Sequence, residues 1–183
     1  MAEAERARLF FALWPDPTVR AALEGLGREA PGGSRGRRIA APNLHLTLVF
    51  LGWSDAELQA CAERVAGTAA GETGVGPFTL ELDRVGHFRR TQVLWVGASR
   101  TPPPLAELVG ALNRGLEGCG VPPPGRAFRP HVTVARKVRR AQPVEIDPVP
   151  WRVERFSLVR STLHPEGARY EVLAEWPLAA AEG

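Results

Sequence analysis

Apolar positions along the chain follow two different periods. Runs of strand length occur at "RLFFALWP" (Arg8 to Pro15), about Leu44 to Leu51, "FTLELDRVGHF", "TQVLWVGAS", about His131 to Lys137, "WRVERFSLVRSTL" and "ARYEVLAEWPL". Between them lie segments with apolar residues at helical spacing. In "DPTVRAALEGLGREA", Val19, Leu23 and Leu26 share one face, with Asp16 as N-cap and Pro17 at the first helical position. Ser54 and Glu57 read as a capping box that opens "DAELQACAERVAG". The third helix, "PPPLAELVGALNRGLEGCG", starts after prolines and ends at glycine. "PGGSRGRR", "VPPPGRAFRP" and "VRRAQPVEIDPVP" read as loops, and His87 and His164 fall in turns, where a structural role is expected. The pattern predicts an α+β fold.

Two of the predicted strands break their apolar pattern in the same way. "NLHLTLVFLG" carries His45 and Thr47, and "RPHVTVARK" carries His131 and Thr133. From four histidines and nine threonines, roughly 0.2 His-x-Thr matches are expected by chance. Strand alternation puts His45, Thr47 and Val49 on one face and Leu46, Leu48 and Phe50 on the other. His131, Thr133 and Ala135 likewise lie opposite Val132 and Val134. Each strand thus has an apolar packing face and a face bearing imidazole and hydroxyl. By the same alternation Phe50 belongs to the core, and Arg136 points away from His131 unless the strand twists or ends near Ala135. The motif histidines lie 86 residues apart, close to half the chain, which suggests a duplicated unit.

Two converging imidazoles suit general acid–base catalysis near neutral pH. One can take a proton from an attacking water while the other gives a proton to a leaving oxygen. Two hydroxyls can hold the non-bridging oxygens of a phosphate between them, and arginine can offset its charge. No metal or cofactor is expected, since no carboxylate cluster has metal-ligand spacing.

Charge sharpens this picture more by type than by sum. The formal net charge is +3, but the basic residues are 22 arginines and Lys137. They gather at Arg35, Arg37 and Arg38 before the first motif, and at Arg126, Arg129, Arg136, Lys137, Arg139 and Arg140 around the second. Arginine's planar fork fits phosphates and stacks on bases, so an anionic, nucleic-acid ligand is expected. Cys61 and Cys119 are isolated and read as small apolar helix residues, neither a disulfide framework nor a zinc site. The N-terminus lacks a signal-peptide pattern and no apolar run has membrane-span length, so a cytoplasmic protein is expected.

With both motifs, the opening "RLFFAL", the "VLWVG" strand and the closing "SLVRSTLHPEGARYEVL", the chain resembles the two-histidine (2H) phosphoesterase superfamily. The resemblance is strongest to its RNA 2′,3′-cyclic phosphodiesterases, also called 2′-5′ RNA ligases (LigT-like). It implies a bilobal α+β fold over residues 1–183: two intertwined, pseudo-symmetric lobes, with antiparallel sheets around a central cleft and helices outside. It implies cofactor-free hydrolysis of an RNA terminal 2′,3′-cyclic phosphate to a 2′-phosphate, and ATP-independent 2′-5′ ligation in the other direction. His45 would be the proton donor and His131 the acceptor, with Thr47, Thr133 and Arg136 on the phosphate. Phe11 and Tyr170 are candidate nucleotide contacts. The expected partners are RNA ends bearing the cyclic phosphate, tRNA fragments among them, met by a monomer without a membrane. Two alternatives stand beside this: a phosphoesterase for small cyclic nucleotide-like phosphates or 2′-5′ oligonucleotides, and a non-catalytic RNA-end-binding module.

Overall fold

The structure, a computed structural model, describes residues 7–30 and 36–180. Among them are nine strands and three helices, in the order β1 (Ala7–Leu13), α1 (Pro17–Glu29), β2 (Arg37–Arg38), β3 (Leu46–Ser54), α2 (Ala56–Glu72), β4 (Phe78–Phe88), β5 (Val93–Gly97), α3 (Pro103–Glu117), β6 (His131–Arg136), β7 (Val144–Val153), β8 (Arg155–His164) and β9 (Gly167–Pro177). All strand pairings are antiparallel. One sheet runs β7-β4-β5-β6-β3-β1-β8-β9, with β2 pairing β6. The α+β architecture is as expected. The two four-stranded halves run together edge to edge through β3 and β6, whose register pairs Leu46 with Val132. No helix among the described residues is long and apolar enough to cross a membrane.

Local chemistry explains the helices. Asp16 caps α1, its Oδ1 accepting from the Val19 N–H at 2.9 Å, and Pro17 opens the first turn. Val19, Leu23 and Gly27 form the buried stripe that packs α1 on β6. In α2 the cap lies one residue later than the Ser54 expected: Asp55 accepts from the Leu58 N–H at 2.9 Å, while the Ser54 hydroxyl bonds the Gly52 carbonyl. The α2 stripe is Ala62, Ala66 and Ala69, and α3 comes close where Gly115 leaves room for Val65. The α3 stripe is Leu105, Leu108, Val109, Leu112 and Leu116. Helices and sheet enclose one large core, and burying each such leucine contributes about 1.5–3 kcal/mol.

That close approach of α2 and α3 corrects the reading of the cysteines. Cys61 and Cys119, 58 residues apart, form a disulfide with Cα atoms at 5.9 Å. Spacing along the chain carries no trace of two facing helix ends.

Three boundaries also differ from expectation. The segment read as the loop "VRRAQPVEIDPVP" contains β7, an edge strand on which Pro148 and Pro150 are tolerated because its outer side needs no ladder bonds. The strand expected over "WRVERFSLVRSTL" divides at Glu154 into β7 and β8. In the basic loop, Arg37 and Arg38 pair with β6 as β2, while Arg35 lies outside the described residues.

Trp95 on β5 lies flat across the sheet because two neighbours lack side chains. A Cβ at Gly86, its partner on β4, would overlap the indole, and one at Gly97 would come within 2.8 Å of the indole Cζ3. Gly86→Ala should therefore displace Trp95 and cost about 1–3 kcal/mol, the usual range for overpacking. Chemical denaturation followed by Trp fluorescence checks this, expecting a lower midpoint at an unchanged slope.

Candidate active site

The single register of β3 against β6 builds the centre. With Leu46 opposite Val132 in an antiparallel pair, His45 falls beside Thr133 and His131 beside Thr47. The apolar middle residues, Leu46 and Val132, are fully buried. The two histidines and two threonines line one cleft of about 590 Å³ on the sheet face away from the helices.

What alternation could not supply is supplied by two β-bulges. Between β1 and β3, Ala12 pairs with Thr47 and Phe11 with Val49, leaving Leu48 as the extra residue. Between β5 and β6, Trp95 pairs with Thr133 and Leu94 with Ala135, leaving Val134 extra. Each bulge follows the motif threonine and shifts the later residues to the other face. Leu48 and Val49 are therefore both buried, as are Val134 and Ala135. Phe50 and Arg136 swing round to line the cleft. Phe50, expected in the core, is 51% exposed.

Both imidazoles are fixed by matching bonds. His45 Nδ1 lies 2.7 Å from the Asn43 carbonyl oxygen and His131 Nδ1 lies 2.7 Å from that of Arg129. A carbonyl can only accept, so each Nδ1 carries the proton and each Nε2 is the free nitrogen. Their surroundings differ. Three rings enclose His45: Phe10 at 4.9 Å, Tyr170 at 5.0 Å and Trp14 at 5.4 Å between centroids. Burial there pushes the His45 pKa below its ordinary value. The Asn43 bond opposes this, while the charges of Arg136 and His131 add to it. Burial likewise raises the Tyr170 pKa, against the pull of Arg136 and Arg8, keeping a neutral phenol. His131 instead meets the edges of Phe88 at 5.2 Å and Trp95 at 6.0 Å.

Around the cleft stand Arg8, Arg37, Arg38, Arg136 and Lys137, with Glu166 as the acidic lining residue. Arg37 Nη2 donates to the Glu166 carbonyl at 2.6 Å and Asn43 Nδ2 to that of Ala168 at 3.0 Å, tying the first-motif approach to the β8–β9 turn. Arg8 sits over the Phe50 ring at 5.3 Å and the Trp53 ring at 5.9 Å. Of the sequence candidates, His45, Thr47, His131, Thr133, Arg136 and Tyr170 line this one cleft. Phe11 does not: it is fully buried against Phe156 and Trp176, and its neighbour Phe10 faces the site instead. Arg8 and Phe10 were missed, although an arginine two residues before a phenylalanine in an apolar strand marks one face. His87, expected in a turn, lies within β4 paired with Leu94, and its Nε2 bonds the Val138 carbonyl at 2.6 Å. Among the described residues, no group of three or more His, Cys, Asp or Glu lies close enough to hold a metal ion.

A family profile described as the 2′-5′ RNA ligase superfamily matches residues 15–165. The chain is 32% identical over 177 residues to an RNA 2′,3′-cyclic phosphodiesterase of Escherichia coli K12, covering 96% of this chain and 98% of the relative. It is 34% identical over 194 residues to one of Thermus thermophilus, covering 96% and 92%. Among solved structures, E. coli LigT complexed with 3′-AMP superposes with a TM-score of 0.83 at 32% identity, over 95% of this chain and 99% of that one.

The His45 environment is directly measurable. NMR titration of the free protein should place its pKa below that of an ordinary imidazole, about 6.5. Arg136→Gln removes a positive neighbour and should move it upward; no movement would contradict the charge coupling described.

Proposed function

The chain belongs to the 2′-5′ RNA ligase superfamily, and on that premise we propose that it opens the 2′,3′-cyclic phosphate at RNA ends by acid–base catalysis between His45 and His131. It is a hydrolase, and its product carries a 2′-phosphate. One observation supports this reading above the rest: two imidazoles, each with Nδ1 anchored and Nε2 free, share a cleft with two threonine hydroxyls and a cluster of guanidinium groups.

In the proposed cycle the phosphate lies between the two histidines. Thr47 and Thr133 donate hydroxyl hydrogen bonds to its non-bridging oxygens, and Arg136 offsets the charge that grows on them. His131 Nε2 takes a proton from water as the water oxygen attacks phosphorus. His45 Nε2–H gives its proton to the departing O3′ as the P–O3′ bond breaks. Proton exchange with solvent then restores both rings. Burial favours the neutral form of free His45, and a bound phosphate anion supplies counter-charge that favours its protonated form. Tyr170 and Phe50 offer apolar surface to the terminal nucleoside on that side, with Phe10 packed against Tyr170. We further propose that it acts as a monomer in the cytoplasm, on RNA ends such as those of tRNA fragments.

Hydrolysis of an RNA ending in 2′,3′-cyclic phosphate, assayed with EDTA present, tests the reading. His45→Ala and His131→Ala should each lower turnover by ~10²–10⁴. Either variant keeping wild-type turnover contradicts the mechanism, and wild-type protein that binds the end without opening it would mark a binding module. Because the donor must be protonated, kcat/KM should fall as pH rises through the lowered His45 pKa.

A further inference from the structure

His131 borders two spaces. One is the cleft it shares with His45; the other is a groove of about 350 Å³ on its far side. That groove is lined by Arg84, Phe88, Trp95, Phe128 and Arg129 together with His131. Its floor is continuous with the site face of the sheet: Arg84 pairs with Gly97, Gly86 with Trp95, and Gly97 with His131. The side chain of Trp95 is held flat by its two glycine neighbours, with Phe88 beside it at 5.3 Å. Aromatic faces flanked by two guanidinium groups form the combination that stacks a base and meets a backbone phosphate. The volume falls in the range of small-ligand sites.

In-line displacement puts the attacking oxygen and the leaving oxygen on opposite sides of phosphorus. With His45 protonating O3′, the terminal nucleoside of the substrate lies on the His45 side, and the nucleophile arrives past His131. A water needs no aromatic platform and no pair of arginines there. Resting on the assignment of His131 as proton acceptor, we propose that this groove is an acceptor subsite, which binds the 5′-hydroxyl nucleotide of a second RNA strand and directs its hydroxyl at the cyclic phosphate.

The step balances without ATP. The 5′-hydroxyl oxygen bonds to phosphorus, and its proton goes to His131 Nε2. The P–O3′ bond breaks, and O3′ takes the proton of His45. The product is a 2′-5′ phosphodiester with a free 3′-hydroxyl. Occupancy of the groove then decides between water and RNA as nucleophile, so the subsite sets the ratio of joining to hydrolysis.

The test uses full-length protein with a donor oligoribonucleotide ending in 2′,3′-cyclic phosphate and an acceptor oligoribonucleotide with a 5′-hydroxyl. Joined and hydrolysed donor are quantified together across acceptor concentrations. Arg84→Gln and Phe128→Leu, singly and combined, should leave hydrolysis within about twofold of wild type, which also reports that they fold. The combined variant should lower the joined-to-hydrolysed ratio roughly tenfold or more. An unchanged ratio overturns the subsite, as does a wild type that hydrolyses the donor but joins nothing at saturating acceptor. If wild type neither joins nor hydrolyses, the phosphodiesterase reading itself fails.

Discussion

The site depends on one short pairing, Leu46 against Val132, where the two halves of the sheet meet. Because β3 and β6 run antiparallel, a single register places each motif histidine beside the other motif's threonine. A slip of either strand by one residue would turn its apolar middle residue, Leu46 or Val132, into the cleft and bury its histidine and threonine in the core. The helices make such a slip costly, since both middle residues are packed beneath them. Core packing thus holds the spacing of the reactive groups, while the chemistry is left on the open face.

Matching bulges extend the same logic. Leu48 and Val134 each follow a motif threonine, and each reverses the side on which the next residues fall. One delivers an aromatic ring, Phe50, and the other a guanidinium, Arg136, to equivalent places around the cleft. The symmetry of the backbone therefore carries an asymmetric set of side chains. The histidines differ in the same sense: His45 is enclosed by Phe10, Trp14 and Tyr170, whereas His131 stands between the main cleft and a second groove. On the proposed reaction, an enclosed imidazole suits the donor and one bordering an open approach suits the acceptor.

Much of this was legible in the sequence. The Asp16 cap, the helix stripes and the two polar faces follow from short-range chemistry, and so do His45, Thr47, His131 and Thr133. Phe50 was misplaced in the core, and alternation alone did not bring Arg136 to the cleft, because a bulge belongs to a pair of strands and leaves no mark on one strand's alternation. Phe10 and Phe11 are hard to tell apart because Leu9 to Leu13 are all buried, and Arg8 alone, two residues before Phe10, marks the wet face of β1. The disulfide and the proline-bearing edge strand escaped for a related reason: both depend on which distant element lies alongside.

The central claim is that both Nε2 atoms face one phosphate while both Nδ1 atoms stay bound to the backbone. The ¹⁵N ring resonances of His45 and His131, recorded while a 2′-nucleotide is titrated into the protein, test it most directly. Nδ1–H tautomers are expected in both free rings in their neutral form, with a change at both Nε2 nuclei on binding. An Nε2–H tautomer in either free ring, or a response confined to one histidine, would contradict it.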